Sequence, residues 1–482
     1  MEKQEKFERR EYIAPTIEVG QRFKVEFTSM THDGQGVCKI NGKDANGIEI
    51  TNYPVFVPFA ITAEQGMIEL IQIKKDYGLG KIVRIFPDKK SPYRTISRCP
   101  HYPECGGCNL MHLNYDGQLI FKQKMVKETL QRLGSLTDIV VNPVIGMNSP
   151  WFYRNKVQVP FGIKKGKTVA GFFRANSHDI IPLENCYIQS EEMTSIFKFI
   201  KNLFNEFKIK GYDEEKHRGD VRHVLIRESK VTSEIMVVFV CMTDKFPNID
   251  EFCQKLLNRH PKITSLVINV NKERTNEILG KYTKTIYGNK VIHDILSEMN
   301  FSIGAKSFYQ VNHEQTEKLY EQVLINGHFK KTDIVIDAYS GIGTIGLLIA
   351  PHVKHVYGVE IVEDAIRNAI QNAKDNYIEN ITFVCNKAEN QIVKWHEEGI
   401  KADVMVVDPP RKGCDEELLK TIVKMQIPNI IYVSCDPGTL SRDLQYLTSK
   451  DYHIKIIQPV DLFPQTTHVE TLVLLCAKNI IS

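Results

Sequence analysis

The sequence predicts an α/β protein whose C-terminal part is a largely parallel sheet covered by helices. Three observations carry that prediction. From about Asp333 the chain alternates regularly between short apolar β-branched runs and helical segments, the pattern of strands joined by crossover helices. A glycine-rich turn, Asp337-Ala338-Tyr339-Ser340-Gly341-Ile342-Gly343-Thr344, follows the first of those strands, and an acid, Glu360, ends the second. The stretch Ile430–Val433, then Ser434-Cys435-Asp436-Pro437, reads as a buried strand, an abrupt turn with one cysteine, and a helix start, because Pro suits the first turn of a helix and not a strand interior.

In chain order, residues 1–14 read as a charged tail. Residues 15–87 read as a small β-barrel: Ile17–Phe27 and Ile68–Lys74 are rich in strand formers, and Asp33-Gly34, Asn41-Gly42 and Asn46-Gly47 are tight-turn dipeptides. Residues 88–300 read as an α+β domain. A helix is expected over 113–134, a hairpin tip at 164–167, helices over 191–209 and 249–258, and strands over 221–228, 234–241 and 263–270. Residues 301–482 form the final domain. Its strands are placed at 334–337, 355–359, 403–407, 430–433, 453–459 and 469–477, with Ile430–Val433 counted as the fifth and 469–477 as the seventh.

At 482 residues, 42% apolar and 25% charged, the composition is that of an ordinary folded protein of about three domains. No apolar run is long enough to span a bilayer and the first residues lack an apolar leader, so a cytoplasmic location is expected. Eleven cysteines in that compartment are expected to be metal-bound, catalytic or buried rather than paired. The net charge is only +4, but residues 88–176 hold 14 Lys and Arg against 5 Asp and Glu. That local surplus points to a polyanionic partner such as nucleic acid, or else to a solvated basic face.

Cys99, Cys105 and Cys108 fall within ten residues, and the next cysteine is Cys186. Thiolates at this density suit zinc or an iron–sulfur cluster. Three close ligands and one distant one favour a cluster over zinc, which more often takes two pairs. The spacing is not that of a radical enzyme that opens one iron to its cofactor. At the other end, Cys435 is expected at the carboxyl rim of the sheet, where open α/β sheets place their chemistry. The adjoining helix N-terminus should favour the thiolate; the alternative is a buried structural cysteine. Asp408, in Asp408-Pro409-Pro410-Arg411, is placed on the same rim. Glu470 opens the seventh strand. Because that strand runs antiparallel beside the fifth, its start need not share a rim with Cys435, and the loop Asp461–His468 would have to carry it there.

Together the turn, Glu360 and the Asp408 motif resemble the Rossmann-like fold of S-adenosylmethionine methyltransferases. Ser434-Cys435-Asp436-Pro437-x-Thr439-Leu440-x-Arg442-Asp443, with His468-Val469-Glu470 and Phe308-Tyr309-Gln310-Val311-Asn312, narrows the likeness. These residues resemble the RNA uracil-5-methyltransferase family. The run Thr31–Val37 with Val55–Pro58 is similar to the RNA-binding TRAM domain. A TRAM-like barrel with four cluster cysteines resembles the family's 23S rRNA branch. The resemblance implies methylation of uracil C5 in 23S rRNA, with Cys435 as nucleophile and Glu470 as the base that resolves the adduct. It implies S-adenosylmethionine contacts at Gln310, Tyr339, Thr344, Glu360 and Asp408. It also implies a 4Fe–4S cluster on Cys99, Cys105, Cys108 and Cys186, structural or RNA-positioning because this chemistry needs no electron transfer. RNA is the expected partner, with no membrane or obligate protein partner. Competing expectations are a tRNA substrate, a non-catalytic RNA-binding or chaperone protein on the same fold, and a redox protein built on the cysteines. An RNA cytosine-5-methyltransferase is disfavoured because its paired-cysteine motifs are absent. Phe308 would stack on RNA or an exposed base, or pack in the core; the remaining cysteines read as packing residues.

Overall fold

Six strands make the N-terminal part because apolar residues alternate along them, one face in and one face out. In Arg22–Glu26 only Phe23 and Val25 are buried, and in Gln35–Lys43 the buried residues are Gly36, Cys38, Ile40 and Gly42. A computed structural model describes residues 16–44, 46–246 and 248–478, so the tail expected at 1–14 lies outside the described residues. The chain divides into two compact units: residues up to Ser97 with Asn109–Gly117, and Arg98–Cys108 with Gln118 onward.

In the first unit the strands follow the order 22–26, 65–73, 78–85, 49–58, 35–43, 29–30. The first and last of these are one nearly continuous run of chain, so the sheet closes on itself as a barrel and leaves no long free edge. Its interior is Phe27, Cys38, Val55, Val57, Ile68 and Leu70, all fully buried. Glu64, buried beneath the sheet's end, accepts from Arg94 Nε at 2.6 Å and from Ser91 N at 3.1 Å, so the segment after the barrel, 88–97, belongs to this unit.

The second unit contains two seven-stranded sheets and a separate hairpin. One sheet is mixed and includes Lys156–Lys164, Lys167–Phe173, Val221–Glu228, Ile235–Cys241 and Ile263–Val270. The helices Glu191–Glu206 and Ile249–Arg259 supply apolar side chains to the core it shares. The hairpin of Val291–Leu296 and Met299–Gly304 was not anticipated, and its second strand crosses the position 300/301 where the sequence suggests a boundary. Met299, Phe301 and Ile303 alternate with Asn300, Ser302 and Gly304, so the strand signal was present in the sequence and was missed.

The other sheet has the strand order 381–385, 355–360, 334–338, 404–407, 429–434, 470–477, 452–460. Five neighbouring strands are parallel, and Glu470–Ala477 lies antiparallel between Asn429–Ser434 and Tyr452–Val460. Its central strands are buried on both faces: every residue of Val404–Val407 is buried, as are Ile430–Ser434, which explains their continuous rather than alternating apolar character. The carboxyl ends of the parallel strands, the end of Tyr452–Val460 and the start of Glu470–Ala477 therefore share one rim.

Candidate functional site

The Cys435 turn is built by its neighbours. Asp436 caps the helix Pro437–Thr448, accepting from Gly438 N at 2.8 Å and Thr439 N at 3.0 Å; such a cap is worth about 1 kcal/mol. Ser434 Oγ donates to Asp436 O at 3.1 Å. Beneath the turn, Tyr432 Oη donates to the buried Asp443 carboxylate at 2.7 Å, and Cys414 N donates to the same oxygen at 2.8 Å. The strand end and the helix start are thus tied at both levels, and Cys435 is left half-buried at the apex.

The register settles where Glu470 stands. Asn429 pairs with Cys476 and Ser434 with Thr471, so the next position opposite Cys435 is Glu470. An antiparallel strand starts where its parallel neighbour ends, and this corrects the expectation that the start of the seventh strand need not share the rim. Val460 pairs with Glu470 on the other side, and the side chain is 3% exposed.

Burial pushes the Glu470 carboxyl up to about 8; Asp408 adds to the shift and Arg411 opposes it. Asp408, at the end of its own strand, is pushed up to about 7 by burial. Asp337, one strand over, is pushed up to about 8 by burial, against the hydrogen bond from Gly346 N at 2.9 Å. Tyr320, whose hydroxyl lies 3.2 Å from Thr344 Oγ1, is raised by burial and by Asp408, Asp337 and Glu470. Three acids and a tyrosine thus share a poorly hydrated space.

Cys435 titrates against that background. Burial, then Glu470 and Asp408, push its thiol up to about 12, with Arg411 opposing. Burial and the neighbouring carboxylates thus outweigh the expected stabilisation of a thiolate by the helix end. The physical reason is burial first and the Glu470 and Asp408 carboxylates next; the Asp436 carboxylate that caps the helix N-terminus adds to them.

The glycine-rich turn follows its strand as expected. Tyr339 and Gly343 both take left-handed backbone, φ +65° and +84°, and a Cβ on Gly343 would lie 2.7 Å from the Phe383 ring. Thr344 opens the short helix Thr344–Ile349. Glu360 ends its strand, and its two oxygens accept from Gly341 N at 3.2 Å and Val362 N at 2.9 Å. Ala338 pairs with Val359 and with Val407, so Tyr339, Glu360 and Asp408 leave the sheet at one level. Gln310 comes from outside the sheet, in the loop before the helix His313–Gly327. It is buried, and its carbonyl accepts from Asn155 Nδ2 at 3.0 Å. Phe308 beside it is 66% exposed, which removes core packing as its explanation.

The cysteines of the second site are brought into each other's field. Burial raises Cys108 well above its usual range, and Cys186, Cys105 and Cys99 add to it. Burial raises Cys186 to about 11, with Cys105 and Cys99 adding and the N–H groups of Ile188 and Gln189 opposing. The loop is stitched to a hairpin by Gly106 N to Phe173 O at 3.0 Å and Ala175 N to Glu104 O at 3.1 Å. Four soft donors that feel one another's charge suit a thiophilic centre. Their arrangement is not itself a chelate: among the described residues no group of three or more His, Cys, Asp or Glu side chains is set to hold a metal ion.

Sequence reasoning left Asp337, Tyr320 and Arg411 without a part in this electrostatic group. Arg411 stands in the quoted Asp408 motif and was legible there; Tyr320 sits on a helix face that looks like any other core position.

Residues 283–478 match the model of the tRNA (uracil-5-)-methyltransferase family. An uncharacterized RNA methyltransferase of Bacillus cereus is 45% identical over 96% of this chain and 98% of its own. One of Halalkalibacterium halodurans is 45% identical over 95% and 97%. Among solved structures, the Pyrococcus abyssi tRNA (uracil-54, C5)-methyltransferase in complex with S-adenosyl-L-homocysteine is similar with a TM-score of 0.72, at 26% identity over 94% of this chain and 99% of that one. The chain belongs to the RNA uracil-5-methyltransferase family, and the α/β domain is that family's methyltransferase fold.

Proposed function

We propose that this protein transfers a methyl group from S-adenosylmethionine to uracil C5 in 23S rRNA through a covalent Cys435 adduct. The observation that carries the reading is the register that sets Glu470 opposite Cys435, with Asp408 in their field. Bound S-adenosylmethionine supplies an electrophilic sulfonium methyl, and the P. abyssi relative binds the demethylated product of that cofactor. Tyr339, Thr344, Glu360, Asp408 and Gln310 are the residues assigned to hold it. Glu360 suits the ribose diol, exchanging at least one of its backbone partners.

The chain's own residues then act in turn. Cys435 loses its proton to water and adds Sγ to uracil C6, which leaves an enolate across C4 and C5. C5 attacks the methyl carbon, whose bond to sulfur breaks. Glu470, ionised, removes the C5 proton; the electron pair restores the C5–C6 double bond, and the Cys435 thiolate leaves. Arg411 is placed to ease both ionisations, since it lowers both groups. The target base must leave its stack to reach Cys435, and exposed Phe308 offers a stacking surface for RNA.

The barrel, read as a TRAM-like RNA-binding domain, and the basic segment 88–176 are assigned the surrounding RNA, in the cytoplasm. Part of that surplus is not free charge: Lys122 is buried in an ion pair, and burial, with Arg227 and Arg154, lowers Lys156 to about 7. We assign a 4Fe–4S cluster to Cys99, Cys105, Cys108 and Cys186 on donor type and on the influence they exert on one another's ionisation. Iron and acid-labile sulfide should co-purify anaerobically with visible absorbance; zinc in their place would overturn that assignment.

A tRNA substrate is the second reading, favoured by the P. abyssi relative. Incubation with methyl-labelled S-adenosylmethionine and separate 23S rRNA and tRNA transcripts tests the choice. Label in rRNA is expected. Label only in tRNA would sink the rRNA assignment, and label in neither would sink catalysis on naked RNA.

A further inference from the structure

Between Val460 and Glu470 the chain makes a nine-residue loop over the carboxyl rim. A loop of that length could place its far end in many ways, yet Glu470 needs one position. The structure holds it from outside. Lys122 Nζ, fully buried on the helix Tyr115–Gly134, lies 2.5 Å from Asp461 Oδ1 and 3.1 Å from Phe463 O. One helical turn earlier, Gln118 Nε2 donates to Gln465 Oε1 at 3.0 Å and Gln118 Oε1 accepts from Gln465 N at 2.9 Å. Tyr153 Oη donates to Pro464 O at 3.0 Å, Asn312 Nδ2 to Leu462 O at 3.0 Å, and Gln315 Nε2 to Asp461 O at 3.0 Å.

Stability alone is a poor account of the ion pair. Removing both charges from water costs about as much as their attraction returns, so a buried pair often stabilises no more than apolar residues would. What it does provide is direction: one buried ammonium bonded to two acceptors on the loop ties Asp461 and Phe463 to the helix. Asp461 follows Val460, the cross-strand partner of Glu470, so the clamp acts one residue from the position opposite the carboxyl.

We propose that Lys122, through Asp461 and with Gln118–Gln465 beside it, is a positioning residue that sets Glu470 for removal of the C5 proton. The inference rests on Glu470 being the base. It predicts a specific lesion: displacement of Glu470 should slow adduct breakdown and spare adduct formation, because Cys435 is fixed by separate contacts.

The test compares Lys122→Met/Asp461→Asn, which removes both charges and keeps an acceptor for Phe463 N, with wild type and Glu470→Gln. Transcripts of 23S rRNA and tRNA, with ordinary uridine or 5-fluorouridine, are used in parallel. Trapping on 5-fluorouridine RNA, which has no C5 proton to lose, should proceed at the wild-type rate. Turnover on uridine RNA should fall roughly 10–100-fold, with the methylated protein–RNA adduct accumulating on a denaturing gel. Trapping and turnover falling by one factor, or neither changing, overturns the proposal. Accumulation in Glu470→Gln but not in the double variant also overturns it; no accumulation in Glu470→Gln overturns the base assignment instead. If the double variant does not fold, Gln118→Met gives the same readout with the ion pair intact, and an unchanged adduct level there overturns the proposal.

Discussion

Burial, then Glu470 and Asp408, push the ionisation of the Cys435 thiol up to about 12. The consequence is measurable. Alkylation of Cys435 by iodoacetamide at neutral pH should be much slower than that of a free cysteine thiol, whose pKa is about 8.5. Peptide mapping after timed exposure checks this; rapid modification would contradict it. Glu470 carries the opposite liability. Its folded pKa, about 8, lies above the ordinary value of 4.5, so the folded state binds the proton more tightly than the unfolded one. That contribution is fully present below the unfolded value and is lost as pH rises through about 8. Glu470→Gln should therefore melt a few degrees higher than wild type at pH 8.5, and the gap should close towards pH 4; calorimetry across that range reads it. The rate of adduct breakdown should show the other face of the same ionisation, rising with pH up to about 8 and losing that rise in Glu470→Gln.

At the scale of elements, the turn and the hairpin differ in how much the sequence revealed. The Asp337–Thr344 turn was legible because glycine is the residue a left-handed backbone selects. Gly343 is the more demanding position: a side chain there meets Phe383, whereas Gly341, at φ +57°, faces open space. Gly343→Ala incurs about 1–2 kcal/mol of left-handed strain before any clash is counted. It should lower both Tm and affinity for S-adenosylhomocysteine well beyond the effect of Gly341→Ala, as calorimetry of the two variants would show. Strands at 404–407 and 429–434 were readable from unbroken apolar runs. The partnership of Cys435 with Glu470 came from the family resemblance alone; the geometry behind it was not readable, because pairing register is a property of two strands and neither sequence states it alone. Lys122 was hidden for a related reason: a lysine on an amphipathic helix normally points to water, and its burial is made tolerable by partners distant in sequence, Asp461 and Phe463 O.

For the whole molecule, the composition predicted a folded protein of several parts, and the closed barrel and the parallel sheet were both foreshadowed by strand-former patterning. The hairpin at 291–304 was missed although Met299, Phe301 and Ile303 alternate there, and the four-cysteine site was legible as a donor set but not as a geometry. The parts converge on one chemical claim, that Cys435 bonds to the RNA base and Glu470 releases it. The most direct measurement uses RNA in which uridine is replaced by 5-fluorouridine, incubated with the protein and methyl-labelled S-adenosylmethionine, followed by protease digestion and mass spectrometry of the denatured complex. The account predicts one labelled nucleotide adduct on the peptide containing Cys435, absent in Cys435→Ala and retained in Glu470→Gln. An adduct on another cysteine, or its persistence in Cys435→Ala, would contradict it.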